Sequence, residues 1–251
     1  MDFTGKSIFI TGAGAGIGKT TAMEMASRGG LLAVTDIDLD RAGAVVSEIE
    51  EAGGTAIAIQ TDVTGLADVE ESVARAIEAF GKIDVLVNNA GWAHPSPLIE
   101  GDPADWDKDI QLCLYGVING CRAVLPGMID NGSGRIVNIC SDAGRVGEPG
   151  LAVYSAAKAG VVGLSKAVAK EVARHGVLVN CVCFSCIRTE YFADLFDAGP
   201  ELEQKMVKRY PMRRVGTMQE AANAIMMMAS EYATFITGQV LSVNGGYAMC
   251  D

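Results

Sequence analysis

The chain has 251 residues, 49% of them hydrophobic, which suffices for a sizeable buried core without disulfides or metals. Its formal net charge of -11 repels phosphate backbones and anionic membrane surfaces, so neither nucleic acid nor a membrane is expected as a partner. The first residues hold no basic segment leading into an apolar stretch, and no uninterrupted apolar run reaches membrane-spanning length. Seven cysteines, an odd number, point to free thiols in a reducing cytoplasm.

Short β-branched runs alternate with helical patterns from the first residues onward. Residues 7–11 predict a strand and 17–28 a helix, then 31–35 a strand and 40–51 a helix. Strands follow at 55–60, 83–88, 135–140, 177–183 and 239–243, with helices between them at 66–80, 104–128, 153–174 and 218–230. Asp102 is placed to cap the helix at 104, with Pro103 in its first position. This alternation predicts an α/β fold: one Rossmann-type, doubly wound parallel sheet with helices on both faces, in a single domain over 1–251. Residues 187–216 alone stand outside the alternation, and a stretch of that size predicts a substrate lid.

Between the first strand and helix lies Thr11-Gly12-Ala13-Gly14-Ala15-Gly16-Ile17-Gly18. Glycines here permit a tight turn and let the backbone approach a diphosphate at a helix N-terminus. Asp36 ends the second strand, where a carboxylate accepts hydrogen bonds from both adenosine ribose hydroxyls and repels a 2′-phosphate. Ala15 and Ile37, where a basic residue would favour NADP, are apolar. These positions predict NAD as the cofactor, with Asp62 and Val63 bordering the adenine. A plain structural turn and a solvated strand-end aspartate are the competing readings. Cys181, Cys183 and Cys186 lack a second Cys or His pair at zinc spacing, so no metal site is expected.

Tyr154 and Lys158 lie four residues apart, on one face of a helix. An ammonium a few ångströms from a phenol contributes about 4 kcal/mol at an effective dielectric of about 20. Partial desolvation opposes this, and the balance predicts a phenol pKa lowered by about two units, suited to proton exchange near neutral pH.

Taken in order, Thr11-Gly-x-x-x-Gly16-x-Gly18, Asn88-Asn89-Ala90-Gly91, Ser141 and Tyr154-x-x-x-Lys158 make the chain resemble the short-chain dehydrogenase/reductase family over its full length, ending with Thr237-Gly238-Gln239 and Asn244-Gly245-Gly246. The resemblance implies that Ser141 polarises the substrate carbonyl and Tyr154 exchanges a proton with its oxygen. Lys158 would hold the nicotinamide ribose, while Asn88 and Ala90 line the cofactor and Thr189 meets its carboxamide. It also implies a homo-oligomer, often a tetramer. An enoyl reductase is disfavoured, because related enoyl reductases place tyrosine and lysine further apart. The substrate regions resemble hydroxycyclohexanecarboxyl-coenzyme A dehydrogenases and 3-oxoacyl thioester reductases.

Two positions depart from the family. Cys113 stands where an asparagine usually orders a water of the proton relay, and a thiol is a weak donor and acceptor. Phe184-Ser185 replaces Pro-Gly beside the nicotinamide, which predicts a ring against the nicotinamide and an uncomfortable backbone at Ser185. Trp92, His94 and Phe192 are expected to line the substrate pocket. Arg145 and Arg188, together with the run Lys205, Lys208, Arg209, Arg213 and Arg214, suggest a carboxylate or coenzyme A thioester substrate. A solvated helix face balanced by acidic residues is the other reading of that run. The expected activity is NAD(H)-dependent interconversion of a secondary alcohol and a ketone. The alternative is an NAD(H)-binding scaffold or redox sensor with weak catalysis.

Overall fold

The computed structural model describes residues 1–250. Seven strands form one all-parallel sheet in the order β3-β2-β1-β4-β5-β6-β7: β1 (Ser7–Thr11), β2 (Leu31–Asp36), β3 (Thr55–Gln60), β4 (Val85–Asn88), β5 (Gly134–Ser141), β6 (Val177–Phe184) and β7 (Val240–Val243). All seven predicted strands are present. β1, β4 and most of β2, β5 and β6 are buried, which is why they read as continuous apolar runs rather than as alternating patterns.

Helices cover both faces. On one side α1 (Gly16–Ala26), α2 (Leu39–Glu51) and α10 (Met218–Ala229) pack Met25, Val45, Ile49 and Ile225 against Ile8, Ile10, Val34 and Val182. On the other, α3 (Leu66–Phe80), α5 (Gly116–Asp130) and α7 (Ala152–Val172) bury Val73, Val124, Met128 and Val161 against Phe9, Leu86, Ile136 and Val179. Successive strand residues point to opposite faces, so each strand feeds both cores.

The predicted helix at 104–128 is three pieces: α4 (Pro103–Ile110), a wide π-helical turn at Gln111–Tyr115, then α5. Asp102 caps it through Ala104 N at 2.9 Å, with Pro103 in the first turn as expected. Length and composition alone would let 103–130 cross a bilayer, but Val117, Cys121, Val124 and Met128 face the core, so it is an interior helix of this sheet. The excursion at 187–216 carries α8 (Glu190–Ala198) and α9 (Pro200–Val207). These form a small apolar cluster of Phe196, Tyr210, Val215 and Cys186 set apart from the two main cores. The short α6 (Ala143–Val146) was not read from the sequence.

Strand order reverses between β1, which leads out to β2 and β3, and β4, which leads out to β5, β6 and β7. Ligands of open α/β sheets bind at that reversal, outside the carboxyl ends of the strands. Thr11, Asp36, Asn88, Ser141 and Phe184 all stand at those ends.

Candidate active site

The turn after β1 is held open from three sides. Asn89 Nδ2 donates to Thr11 O and Gly12 O at 2.9 Å each, while Thr11 Oγ1 accepts from Asn89 N and Ala90 N at 3.0 Å each. Gly16 adopts φ +57°, which favours glycine, and a Cβ on Gly18 would collide with Gly12 O and the Asn89 amide. No side chain caps the N-terminus of α1, where Ala15 precedes Gly16 and Ile17. Its first N–H groups therefore suit an anion such as a diphosphate.

Asp36 lies at the far wall, with Gly14 N donating to Oδ2 at 2.9 Å and Asp38 N to Oδ1 at 3.1 Å. Beyond it, Ile37, Gln60 and Asp62 line an open groove. Asn119 Nδ2 fastens Val63 O and Thr64 O at 2.9 and 3.2 Å, fixing the Asp62-Val63 turn to α5. On the opposite side Thr189 overhangs the turn, its Cγ2 3.6 Å from where a Gly16 Cβ would stand. Glycine turn, uncapped helix end, strand-end carboxylate and overhanging Thr189 fit a dinucleotide. The Asn88 side chain does not face this cleft. It turns into the core, donating to Asn138 Oδ1 at 2.8 Å, so Asn88 offers the cofactor only its backbone.

Ser141 at the end of β5 and Tyr154 and Lys158 on α7 meet at the adjoining strand ends. Ser141 Oγ accepts from Ala143 N at 3.1 Å and lies close enough to the Tyr154 phenol to favour its ionised form. Lys158 is 3% exposed, donates to Ile139 O at 2.9 Å, and sits 5.6 Å from the Tyr154 ring centroid. The expectation of a lowered phenol pKa is not met. Burial pushes Tyr154 above its ordinary value, and the Lys158 charge only partly offsets that. Burial alone would depress Lys158 too, but Tyr154 and the thiols of Cys113, Cys140 and Cys183 around it leave its pKa raised.

Cys113 lies on the wide turn, fully buried, donating to Trp92 O at 3.0 Å. Burial holds its thiol above the usual value despite the nearby Lys158. A Cβ on Gly91 would stand 3.3 Å from Lys158 Nζ and 3.6 Å from Cys113 Sγ, so both groups converge beneath that glycine. Phe184 packs into the core and is 5% exposed. Ser185 keeps an ordinary negative φ, contrary to the strain expected there, because Arg213 is the one non-glycine residue with positive φ among those described. Tyr210 takes over the local fixing: its hydroxyl accepts from Cys186 N at 3.0 Å and pairs with Ser185. Cys181 and Cys183 lie in the core and Cys186 in the excursion's cluster. Among the described residues no three His, Cys, Asp or Glu side chains form a metal-binding group.

The substrate side divides. Trp92 meets Tyr191 edge-on at 4.9 Å, and Tyr191 and Phe192 continue to Phe196, an aromatic ladder from the loop after β4 into α8. His94 and Tyr154 line one recess. The arginines go elsewhere. Arg145 donates to Ser242 Oγ at 2.8 Å and to Cys250 O at 3.1 Å. Arg188 pairs with Glu203 at 2.7 Å and Asp197 at 3.0 Å, inside the excursion. Arg209 grips Glu148 with both terminal nitrogens and also meets Tyr247, while Arg214 pairs with Glu220 at 2.6 Å. Arg209 and Arg214 of the basic run, and Arg188 outside it, thus answer acidic partners on the protein itself; within the run those partners are Glu148 and Glu220, neither of them on the run's own helix face.

Sequence reading missed Asp142, 1% exposed beside Ser141, which accepts from Ser242 Oγ at 2.8 Å and Asn244 Nδ2 at 2.6 Å. It ties the Ser141 loop to β7. An aspartate after a strand reads as a turn residue, so no sequence signal marks it. Asn89 and Asp109 carry no separate signal either: one sits inside the Asn-Asn-Ala-Gly motif and the other on a charged helix face.

Comparison with known proteins identifies the family. A family model described as enoyl-(acyl carrier protein) reductase matches residues 12–248. The 3-oxoacyl-[acyl-carrier-protein] reductase FabG of Staphylococcus epidermidis is 39% identical over 245 residues, covering 97% of this chain and 99% of its own. The (2S)-[(R)-hydroxy(phenyl)methyl]succinyl-CoA dehydrogenase subunit BbsD of Thauera aromatica is 38% identical over 250 residues, 99% of both chains. A crystal structure described as a short-chain alcohol dehydrogenase from Sinorhizobium meliloti superposes with a TM-score of 0.92 at 32% identity, covering 98% of this chain and 97% of the other. The chain belongs to the short-chain dehydrogenase/reductase family, oxidoreductases that act on CH–OH groups with a nicotinamide cofactor.

Proposed function

We propose that this protein interconverts a secondary alcohol and a ketone with NAD(H), using Ser141, Tyr154 and Lys158. The observation that carries the reading is their convergence at the end of β5, Lys158 buried beside the Tyr154 ring and Ser141 facing the phenol. The nicotinamide, when bound, accepts or donates the hydride. The chain's own residues move the proton. Ser141 holds the substrate oxygen, and Tyr154 gives its proton to that oxygen in reduction or takes one in oxidation. Lys158, kept cationic in its buried seat, steadies the phenolate so formed. Gly12 to Gly18, Asp36, Asp62, Val63, Ala90 and Thr189 would hold the cofactor.

Asp36 supports NAD over NADP, since its carboxylate occupies the wall a 2′-phosphate would need. Arg41, the cation beside Gly14, is drawn to Asp38 at 3.3 Å. Separation of Tyr154 and Lys158 by one helical turn supports a carbonyl rather than an enoyl substrate. The names of the relatives favour acyl thioesters, whereas the pairing of Arg188, Arg209 and Arg214 with carboxylates removes side chains that would hold an acidic group. The buried Cys113, its thiol raised, speaks against the redox-sensor alternative. We place the protein in the cytoplasm as a homo-oligomer of one-domain subunits, with 187–216 as the lid.

The test is absorbance-monitored oxidation of NADH and NADPH against cyclic ketones, keto acids, 3-oxoacyl thioesters and enoyl thioesters. NADH is expected to exceed NADPH in kcat/KM by about tenfold or more, and Tyr154→Phe is expected to lose about 100-fold or more in kcat. NADPH preference would overturn the cofactor assignment; a fully active Tyr154→Phe would overturn the mechanism.

A further inference from the structure

The recess beside Tyr154 has a polar wall with no part in the proton transfer above. Tyr154 and His94 line it with Asp109, Trp106, Leu98 and Leu151. Asp109, at the end of α4, is 3% exposed, so its carboxylate requires donors. Both come from His94: Nδ1 at 2.7 Å from Oδ1, and the backbone N at 3.4 Å from Oδ2. A carboxylate only accepts, so Nδ1 carries a proton toward Asp109 and Nε2 is the ring atom left to meet a ligand.

The field around that nitrogen is negative. Asp105 Oδ1 lies 4.0 Å from Nε2, beyond hydrogen-bond reach, and is engaged by Lys108 at 2.8 Å. Asp102, Asp105, Asp107 and Asp109 occupy this segment with Lys108 as the single cation among residues 102–110. Arg188 and Arg209, which would answer an anionic substrate, already hold Asp197, Glu203 and Glu148. A carboxylate entering this recess meets like charge, whereas a neutral hydroxyl finds an oriented acceptor against apolar walls.

We infer that the recess is a hydroxyl-recognition subsite. The protein takes a diol or hydroxyketone whose second hydroxyl donates to His94 Nε2 while the reacting oxygen faces Tyr154. Asp109 is a positioning residue that holds the ring in place. The inference rests on Tyr154 as the proton-transfer residue proposed above.

Initial rates with saturating NAD+ on matched substrates test it: 2-butanol against 2,3-butanediol, cyclohexanol against 1,2-cyclohexanediol, and 3-hydroxybutyrate as the anionic member. The diols are expected to exceed the mono-alcohols in kcat/KM by about tenfold or more, the scale of one well-made buried hydrogen bond. His94→Leu should bring that ratio toward one through KM, His94→Gln should restore part of it, and Asp109→Asn should lower it. A ratio near one in the unaltered protein overturns the subsite even if His94→Leu fails to fold. So does a ratio unchanged in His94→Leu, or 3-hydroxybutyrate as the best substrate. These outcomes leave the oxidoreductase reading standing wherever turnover still depends on Tyr154. Turnover that survives Tyr154→Phe overturns that reading, and the subsite falls with it.

Discussion

Cys113 occupies a seat where the family usually places an amide, and its surroundings turn it into a packing residue. Its thiol is given to Trp92 O, no water-accessible face remains, and burial outweighs the attraction of Lys158 for a thiolate. Cys121 and Cys181 are likewise pushed up to about 12 by burial. Cys250 alone is partly exposed among the seven cysteines. A thiol-reactive chromophore at neutral pH should therefore report one fast thiol per folded chain and all seven after denaturation. Fast labelling at Cys113 with loss of activity would revive the redox-sensor alternative. Tyr154 follows the same rule that burial beats a single nearby charge. A phenol–ammonium spacing is visible in sequence, but the depth at which the pair is buried is not, which is why the direction of the Tyr154 pKa was misread.

At the level of elements, the excursion at 187–216 is fastened at both ends of its helical pair. Tyr210 pins the start of the excursion, and Arg209 reaches Glu148 and Tyr247 outside it. Where the excursion runs into α10, Thr217 caps Glu220 N at 3.2 Å and Glu220 answers Thr217 N at 2.9 Å, a reciprocal box that Arg214 joins. Hydrogen bonds from Arg214 and Thr217 hold the Glu220 carboxyl at about 2. A depressed acid stabilises the fold above its unfolded value near 4.5, and that contribution fades as pH falls toward about 2. Its side chain is 39% exposed, so solvent screening limits the effect to about 1 kcal/mol. Urea unfolding of Glu220→Gln should show that deficit at pH 7 and lose it near pH 2. A deficit of the same size at both would mean the charge is not what stabilises this end. The bounds of the excursion's helices are hard to read from sequence because their apolar face packs on its own cluster rather than on the sheet, leaving short patterns with no flanking strand to frame them.

Across the whole molecule, a polar row runs through the sheet beneath the site. Asn88, Asn138 and Cys181 stand side by side in register on β4, β5 and β6. Asn88 Nδ2 donates to Asn138 Oδ1 and Asn138 Nδ2 to Ser165 Oγ, each at 2.8 Å, while Cys181 Sγ donates to Ser165 Oγ at 3.1 Å. Asn138→Ala would strand the Asn88 amide in the core, and is expected to cost about 2–4 kcal/mol in urea unfolding. A loss below about 0.5 kcal/mol would show that the row is dispensable. The sheet and both helical layers were legible in the sequence because strand–helix alternation is a long-range signal that runs through all seven strands. The glycine turn, the strand-end Asp36 and the one-turn separation of Tyr154 and Lys158 are visible in local spacing, whereas Ser141 is marked only by the family resemblance. The partners of Arg145 and Arg188 were not. An arginine's reach spans several elements, and which carboxylate or carbonyl it meets is settled by packing that no local pattern records.

The wide turn at 111–115 has a consequence for descent and for engineering. It holds one residue more than regular helix would, and each helical residue is worth about 100° of rotation. Deleting a single residue there would leave α5 seated on the sheet while swivelling α4 about its own axis. Asp109 would then swing away from His94 and Cys113 from Trp92. A one-residue length change at this spot acts as a dial on the wall of the recess beside Tyr154, set independently of α7.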